Sequence, residues 1–207
     1  MVSVPYNPSS SLEVAVPARP IPIKIVVAGG FGVGKTTFVG TLSDITPLTT
    51  EAAMTTAARG IDNRGDVSTK TTTTVAMDFG RTAIDGGLVL YMFGTPGQDR
   101  FGFMWDDLIT GALGAVVLVD SRRLDDSFPA LDYFESRNIP FVIAVNLFEG
   151  HLFHTLGDLR AALNVDAAIR IVTTDARDRA TVKETVLELL DVVLQRAVLN
   201  DLIAAAI

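Results

Sequence analysis

The stretch GGFGVGKT, residues 29–36, decides how this chain is read. It fits Gly-x-x-x-x-Gly-Lys-[Ser/Thr], and it lies between an apolar run of strand length, IKIVVAG at 23–29, and a helix-competent run, KTTFVGTLSD at 35–44. Gly29, Gly30, Gly32 and Gly34 let the backbone curl so that successive N–H groups face phosphate oxygens, with Phe31 and Val33 between them. A helix beginning at Lys35 adds partial positive charge at its first turn, where Thr36 and Thr37 follow. Lys35 offers a mobile cation to terminal phosphates, and Thr36 offers a hydroxyl to Mg²⁺. No Gly-x-Gly-x-x-Gly register fits these glycines, so a dinucleotide fingerprint is the poorer reading.

Outward from this loop, apolar strand-length runs alternate with amphipathic helix-length runs, the pattern of a mostly parallel sheet with helices on both faces. Strands are expected at 23–29, 74–84, 87–93, 114–120, 140–146 and 168–173, and helices near 104–111, 124–137, 155–164 and 180–205. Asp85-Gly86 is a hairpin signal, so the strands flanking it should be antiparallel. The fold class that follows is α/β: a six-stranded, mostly parallel sheet with one antiparallel strand. Thr155 and Asp158 form a capping-box pattern at the start of the helix expected at 155–164. Residues 1–20 hold four of the nine prolines and a Ser run, which suits a flexible extension ahead of one domain at 21–207. Residues 45–73 carry no clear helical or strand period, and loops of that length are usually functional.

Composition narrows the function. The 207 residues include 17 basic and 24 acidic side chains, a net charge of -7 with no basic run, which argues against a nucleic-acid backbone as partner. The absence of cysteine removes disulfides, thiolate metal sites and thiol-linked lipid anchors. The apolar runs are too short to span a bilayer, and the N-terminus has no basic-then-apolar pattern, so a cytoplasmic protein is expected. His151 and His154 lack a third ligand and read as surface loop residues.

The order of further pieces is more specific than any one of them. After the phosphate loop come TVAMDFGR at 74–81, GTPGQDRF at 94–101, AVN at 144–146 and DAR at 175–177. Over residues 21–207 the chain resembles the Ras-like small GTPases, within them the bacterial MglA type and, closer still, the actinobacterial conservon ATP/GTP-binding proteins. The resemblance implies a P-loop G domain that binds GTP or GDP with Mg²⁺. Asn146 and Glu149 would occupy the Asn-Lys-x-Asp element that holds guanine, with Leu147 in place of the lysine. Asp175, Ala176 and Arg177 would occupy the Ser-Ala-Lys position, where the alanine N–H meets the guanine carbonyl; a plain strand-to-helix turn explains the same residues. Gly97 would sense the γ-phosphate, and Gln98 would orient the attacking water. Among Thr71 to Thr74, Thr74 is chosen as the switch hydroxyl on Mg²⁺, beside Thr36.

Three departures from that family stand out. Gly94 takes the place of the aspartate that holds Mg²⁺ through water, which lowers metal affinity without removing the site. Asp78 and Asp120 also lie near strand ends, where a loop contact or a helix cap is the expected role. Phe31 stands where fast hydrolases carry glycine, and Thr73 stands where the MglA type carries an arginine. Arg59, Arg64 and Arg100 lie in candidate mobile segments. The cluster Phe101, Phe103, Met104 and Trp105 either anchors its segment to the core or meets a partner. The expectation is a GTP-binding switch with slow hydrolysis, Lys35 and Gln98 being its catalytic residues. The alternative is a pseudo-GTPase, a nucleotide-binding interaction module without useful turnover; a small-molecule kinase would leave TPGQ unexplained. By resemblance, a roadblock-type regulator and a sensor-kinase-like component would be partners, making any membrane association indirect.

Overall fold

A computed structural model describes residues 19–55, 72–84, 87–97 and 104–205. Residues 1–18 of the extension expected at 1–20, the Asp85-Gly86 turn, most of the aperiodic segment, and Gln98 through Phe103 lie outside the described residues.

Seven strands form one sheet: β1 (Ile21–Ala28), β2 (Leu48–Thr55), β3 (Thr72–Ile84), β4 (Leu88–Gly94), β5 (Gly114–Val119), β6 (Phe141–Asn146) and β7 (Ile171–Thr174), in the order β2-β3-β4-β1-β5-β6-β7. β3 runs against both its neighbours, and every other pair is parallel. The six expected strands are all present, and β2 is a seventh at the sheet edge, paired from Leu48↔Phe79 to Thr55↔Thr72. Its sequence LTTEAAMT does not alternate apolar with polar, so nothing in its pattern separated it from the loop around it.

Helices α1 (Lys35–Leu42) and α5 (Arg179–Ala205) cover one face; α2 (Trp105–Ile109), α3 (Phe128–Ser136) and α4 (Leu156–Leu163) belong to the other. The strands between these layers are buried on both sides, and so β5 and β6 read as continuous apolar runs. Along β1, Ile25 and Val27 pack with Phe38, Val39, Val182 and Leu189; Val26 and Ala28 pack with Leu131 and Phe134. Trp105 belongs to this second layer, stacked on Phe134 at 6.1 Å and edge-on to Tyr133 at 5.0 Å, so this member of the aromatic cluster anchors its segment to the core.

β1 is the central strand from which the chain moves first to one side, through α1 to β2, β3 and β4, and then to the other, through α2 to β5. The carboxyl end of β1 is therefore the topological switch point, where a crevice opens. The sequence motif at 29–36 lies there. At α4, the Thr155 hydroxyl accepts the Asp158 N–H at 3.1 Å and donates to its carboxylate at 2.7 Å.

Phe38 is fully buried between the sheet and α5. Phe38→Ala is expected to lower unfolding stability by about 3–5 kcal/mol in urea titration.

Candidate functional site

The phosphate loop is held in a shape that only glycine tolerates at two of its points. Gly29 has φ +131, and a Cβ there would lie 2.3 Å from the carbonyl oxygen of Leu118 on β5. Gly34 has φ +108, and a Cβ would lie 2.7 Å from Asn146 Nδ2. Gly34 is also the residue preceding α1, and it provides no side-chain cap, so the N–H groups of the first turn remain available to an anion.

Lys35 is buried, and its Nζ donates to the carbonyl oxygens of Gly29 at 2.8 Å and Gly30 at 2.7 Å. Burial lowers its pKa to about 8, partly offset by the nearby Asp78 carboxylate. Gly97 closes over this group: a Cβ at that position would fall 2.6 Å from Lys35 Nζ and 2.9 Å from Phe31 Cα. Around these atoms lies an open cavity of about 360 Å³, lined by the loop, Thr36, Thr37, Asp78, Thr95 and Gly97. Phe31 stands at its mouth, 68% exposed.

Asp78, read from the sequence as a loop contact or helix cap, is a buried residue of β3 whose Oδ2 accepts the Thr36 hydroxyl, in the first turn of α1, at 2.6 Å. Asp78 pairs in register with Gly94 on β4, and a Cβ on Gly94 would stand 3.0 Å from Asp78 Cβ and 3.1 Å from its Oδ2. Asp78 thus places a carboxylate beside the end of β4, in space that the glycine leaves open. Thr95 adds a buried hydroxyl in the same cavity, without a hydrogen-bond partner among the described residues. Thr36, Asp78 and Thr95 together present oxygen donors of the kind that a small hard cation takes alongside phosphate and water. Among the described residues no group of three or more His, Cys, Asp or Glu forms a cage of its own. Thr74 falls within β3, with its side chain outside the description.

At the far end, Asn146 ties two loops together. Its Nδ2 donates to Val33 O at 2.9 Å, and its Oδ1 accepts the Ala176 N–H at 3.0 Å. That N–H, expected to meet a base carbonyl, is therefore engaged within the protein. Asp175 accepts Nε and Nη2 of Arg177 at 2.9 and 2.8 Å, which holds its carboxyl below the usual range. A second cavity of about 160 Å³ includes Asn146, Leu147, Phe148, Asp175, Ala176 and Arg177, and shares Gly32, Gly34 and Thr37 with the first. Glu149 is exposed, has φ +59 and does not line it; its charge acts instead on Arg122 and Arg177. A comparable cavity of about 380 Å³ between α1, β3 and α5 lies away from the phosphate loop. Its Arg179 is committed to the carbonyls of Thr41 and Leu42 and to Asp44.

Sequence reasoning placed the phosphate loop and Asn146 in this crevice but missed Asp78 and Thr95 as members of it. Gln98, Arg59, Arg64 and Arg100 lie outside the described residues.

A family model described as "Conserved hypothetical ATP binding protein" matches residues 27–201. An uncharacterized protein of Methanocaldococcus jannaschii is 32% identical over 126 residues, covering 60% of this chain and 69% of that protein. Among solved structures, the G domain of FeoB from Methanococcus jannaschii superposes with a TM-score of 0.55 at 14% identity, covering 84% of this chain and 98% of the other. That likeness shows a shared fold.

The depressed Lys35 pKa sets a pH dependence. Below about pH 8 the folded chain carries the buried ammonium at a cost, which is relieved as pH rises from about 8 toward 10.5, so Lys35 contributes increasing stability across that window. Polyphosphate binding runs the other way, because it needs the cation: affinity is expected to fall about tenfold per pH unit above 8. Calorimetry above pH 8 in buffers of different ionisation enthalpy should record proton uptake on binding.

Proposed function

The chain belongs to the family described as conserved hypothetical ATP-binding proteins, and from that premise we propose that it is a nucleoside triphosphate switch: a P-loop domain that prefers GTP and hydrolyses it slowly with Mg²⁺. The observation that carries the reading is a pair of adjoining cavities, one lined by Asn146 and Arg177 and the other by Lys35, Thr36 and Asp78, that share Gly32, Gly34 and Thr37. A base, a chain of phosphates and a hydrated cation fit the first cavity, the shared residues and the second cavity in turn.

Mg²⁺ would be held by the Thr36 hydroxyl, with Asp78 and Thr95 oriented toward its waters and Thr74 joining in the triphosphate state. When bound, the metal neutralises charge on the terminal phosphates. Lys35 transfers its donation from the Gly29 and Gly30 carbonyls to phosphate oxygens. Gly97 presents a bare N–H to the γ-phosphate, and Gln98 orients the attacking water. Phe31 crowds that water, which keeps turnover slow. Residues 45–80 and 94–107 would change order when the γ-phosphate leaves.

Guanine preference rests on Glu149, three residues after Asn146, a carboxylate able to accept two N–H donors from the base edge if nucleotide binding turns its loop into the cavity beside which it stands exposed. A specific observation favours adenine instead: the Ala176 N–H is held by Asn146, leaving a guanine carbonyl without that donor. By resemblance to the MglA type and the conservon proteins, the partners would be a roadblock-type regulator and a sensor-kinase-like component. Among the described residues no helix is long and apolar enough to cross a membrane, and peripheral attachment would come through such a partner.

Affinities for GDP, GTP, ADP and ATP decide the base; GTP is expected to bind at least about tenfold more tightly than ATP, and the reverse order would replace the guanine reading with the adenine one. Single-turnover phosphate release should be slow, and slower still in Gln98→Ala. Tight binding without release would mark a non-hydrolysing module. Asp78→Asn should raise the Mg²⁺ concentration needed for nucleotide retention by about tenfold or more, read as nucleotide release on titration with a chelator.

A further inference from the structure

Leu147 offers the phosphate loop no charge, but the turn after β5 brings two cations to the same place. Asp120, 3% exposed at the end of β5, accepts the Arg122 backbone N–H at 3.0 Å and the Arg122 guanidinium at 2.9 and 2.8 Å. Arg122 then lies 4.2 Å from the centroid of the Phe148 ring, in the loop that follows Asn146. The same carboxylate stands 3.6 Å from Arg123 Nε, and Arg123 Nη1 stands 3.4 Å from Asp126. From this position Arg123 Nη2 donates to the carbonyl oxygen of Phe31 at 3.1 Å, across 92 positions of sequence.

Peptide planarity turns that contact into a statement about the phosphates. In a trans peptide the C=O and the following N–H point in opposite directions. Holding the Phe31 carbonyl toward Arg123 therefore directs the Gly32 N–H away from it. Gly32 lines both cavities, whereas Arg123 lines neither. Gly32 also has φ +72, and a glycine accepts the opposite peptide orientation at little steric cost. Rotated, this peptide would present a carbonyl to phosphate oxygens.

We propose that Arg123, anchored by Asp120, is a positioning residue for the nucleotide: its grip on the Phe31 carbonyl fixes the Gly32 amide toward the phosphates, while Arg122 braces the base loop from the same carboxylate. The inference rests on the nucleotide-binding reading and assigns to this turn the side-chain donor to the phosphate loop that Leu147 cannot provide.

The test uses the full chain with fluorescent GDP and ADP analogues and with pyrophosphate as a base-free competitor. If the unmodified chain binds none of them, the nucleotide reading itself fails, whatever Arg123 does. Given binding, Arg123→Ala should weaken both nucleotides and pyrophosphate by a common factor of about tenfold, with the melting temperature of the ligand-free chain unchanged. Arg123→Gln keeps an N–H donor without the charge and should regain most of the affinity. Arg122→Ala should instead weaken the nucleotides and leave pyrophosphate unaffected. Unchanged binding by Arg123→Ala would overturn the proposal. So would Arg123→Gln being as weak as Arg123→Ala, which would leave bulk charge as the cause, or a fall in melting temperature shared by both variants.

Discussion

Between the carboxyl end of β1 and the backbone of β5 there is no room for a side chain. The Leu118 carbonyl oxygen occupies the place where a Cβ on residue 29 would go, so the chain leaves the sheet as glycine in a conformation that L side chains avoid. From that constraint the rest follows in sequence. The loop curls back over its own helix, Lys35 is folded beneath it, and Gly32 and Gly34 line the cavities beside it. A chain unable to make this turn would keep a core and lose its site.

The second organising feature is a change of strand. Gly94 and Asp78 face one another across an antiparallel pair, and the β3 member of that pair carries the carboxylate that accepts the Thr36 hydroxyl. The buried Lys35 benefits as well, because Asp78 opposes the loss of its proton.

Much of this was legible in the linear chain, for identifiable reasons. β1, β5 and β6 are sandwiched between helix layers, and their unbroken apolar runs say so. The phosphate loop is a local motif whose meaning depends on neighbours only a few residues away. The Thr155–Asp158 cap is local too. What escaped reading depends on pairing between distant segments. β2 has a polar, alanine-rich edge sequence that becomes a strand only against β3. Asp78 acquires its role from Gly94, sixteen positions later, through register alone. The Ala176 N–H, assigned to a base, is taken by a side chain thirty residues earlier. Arg123 meets the phosphate loop only because β5 ends beside β1.

The crowding between Gly94 and Asp78 also constrains how such a protein can change over generations. A Cβ on residue 94 would stand 3.0 Å from that of Asp78, so a carboxylate gained at 94 while Asp78 persists would set two like charges into one small space. Losing Asp78 first would leave neither. The effect of a substitution at either position therefore depends on the residue at the other.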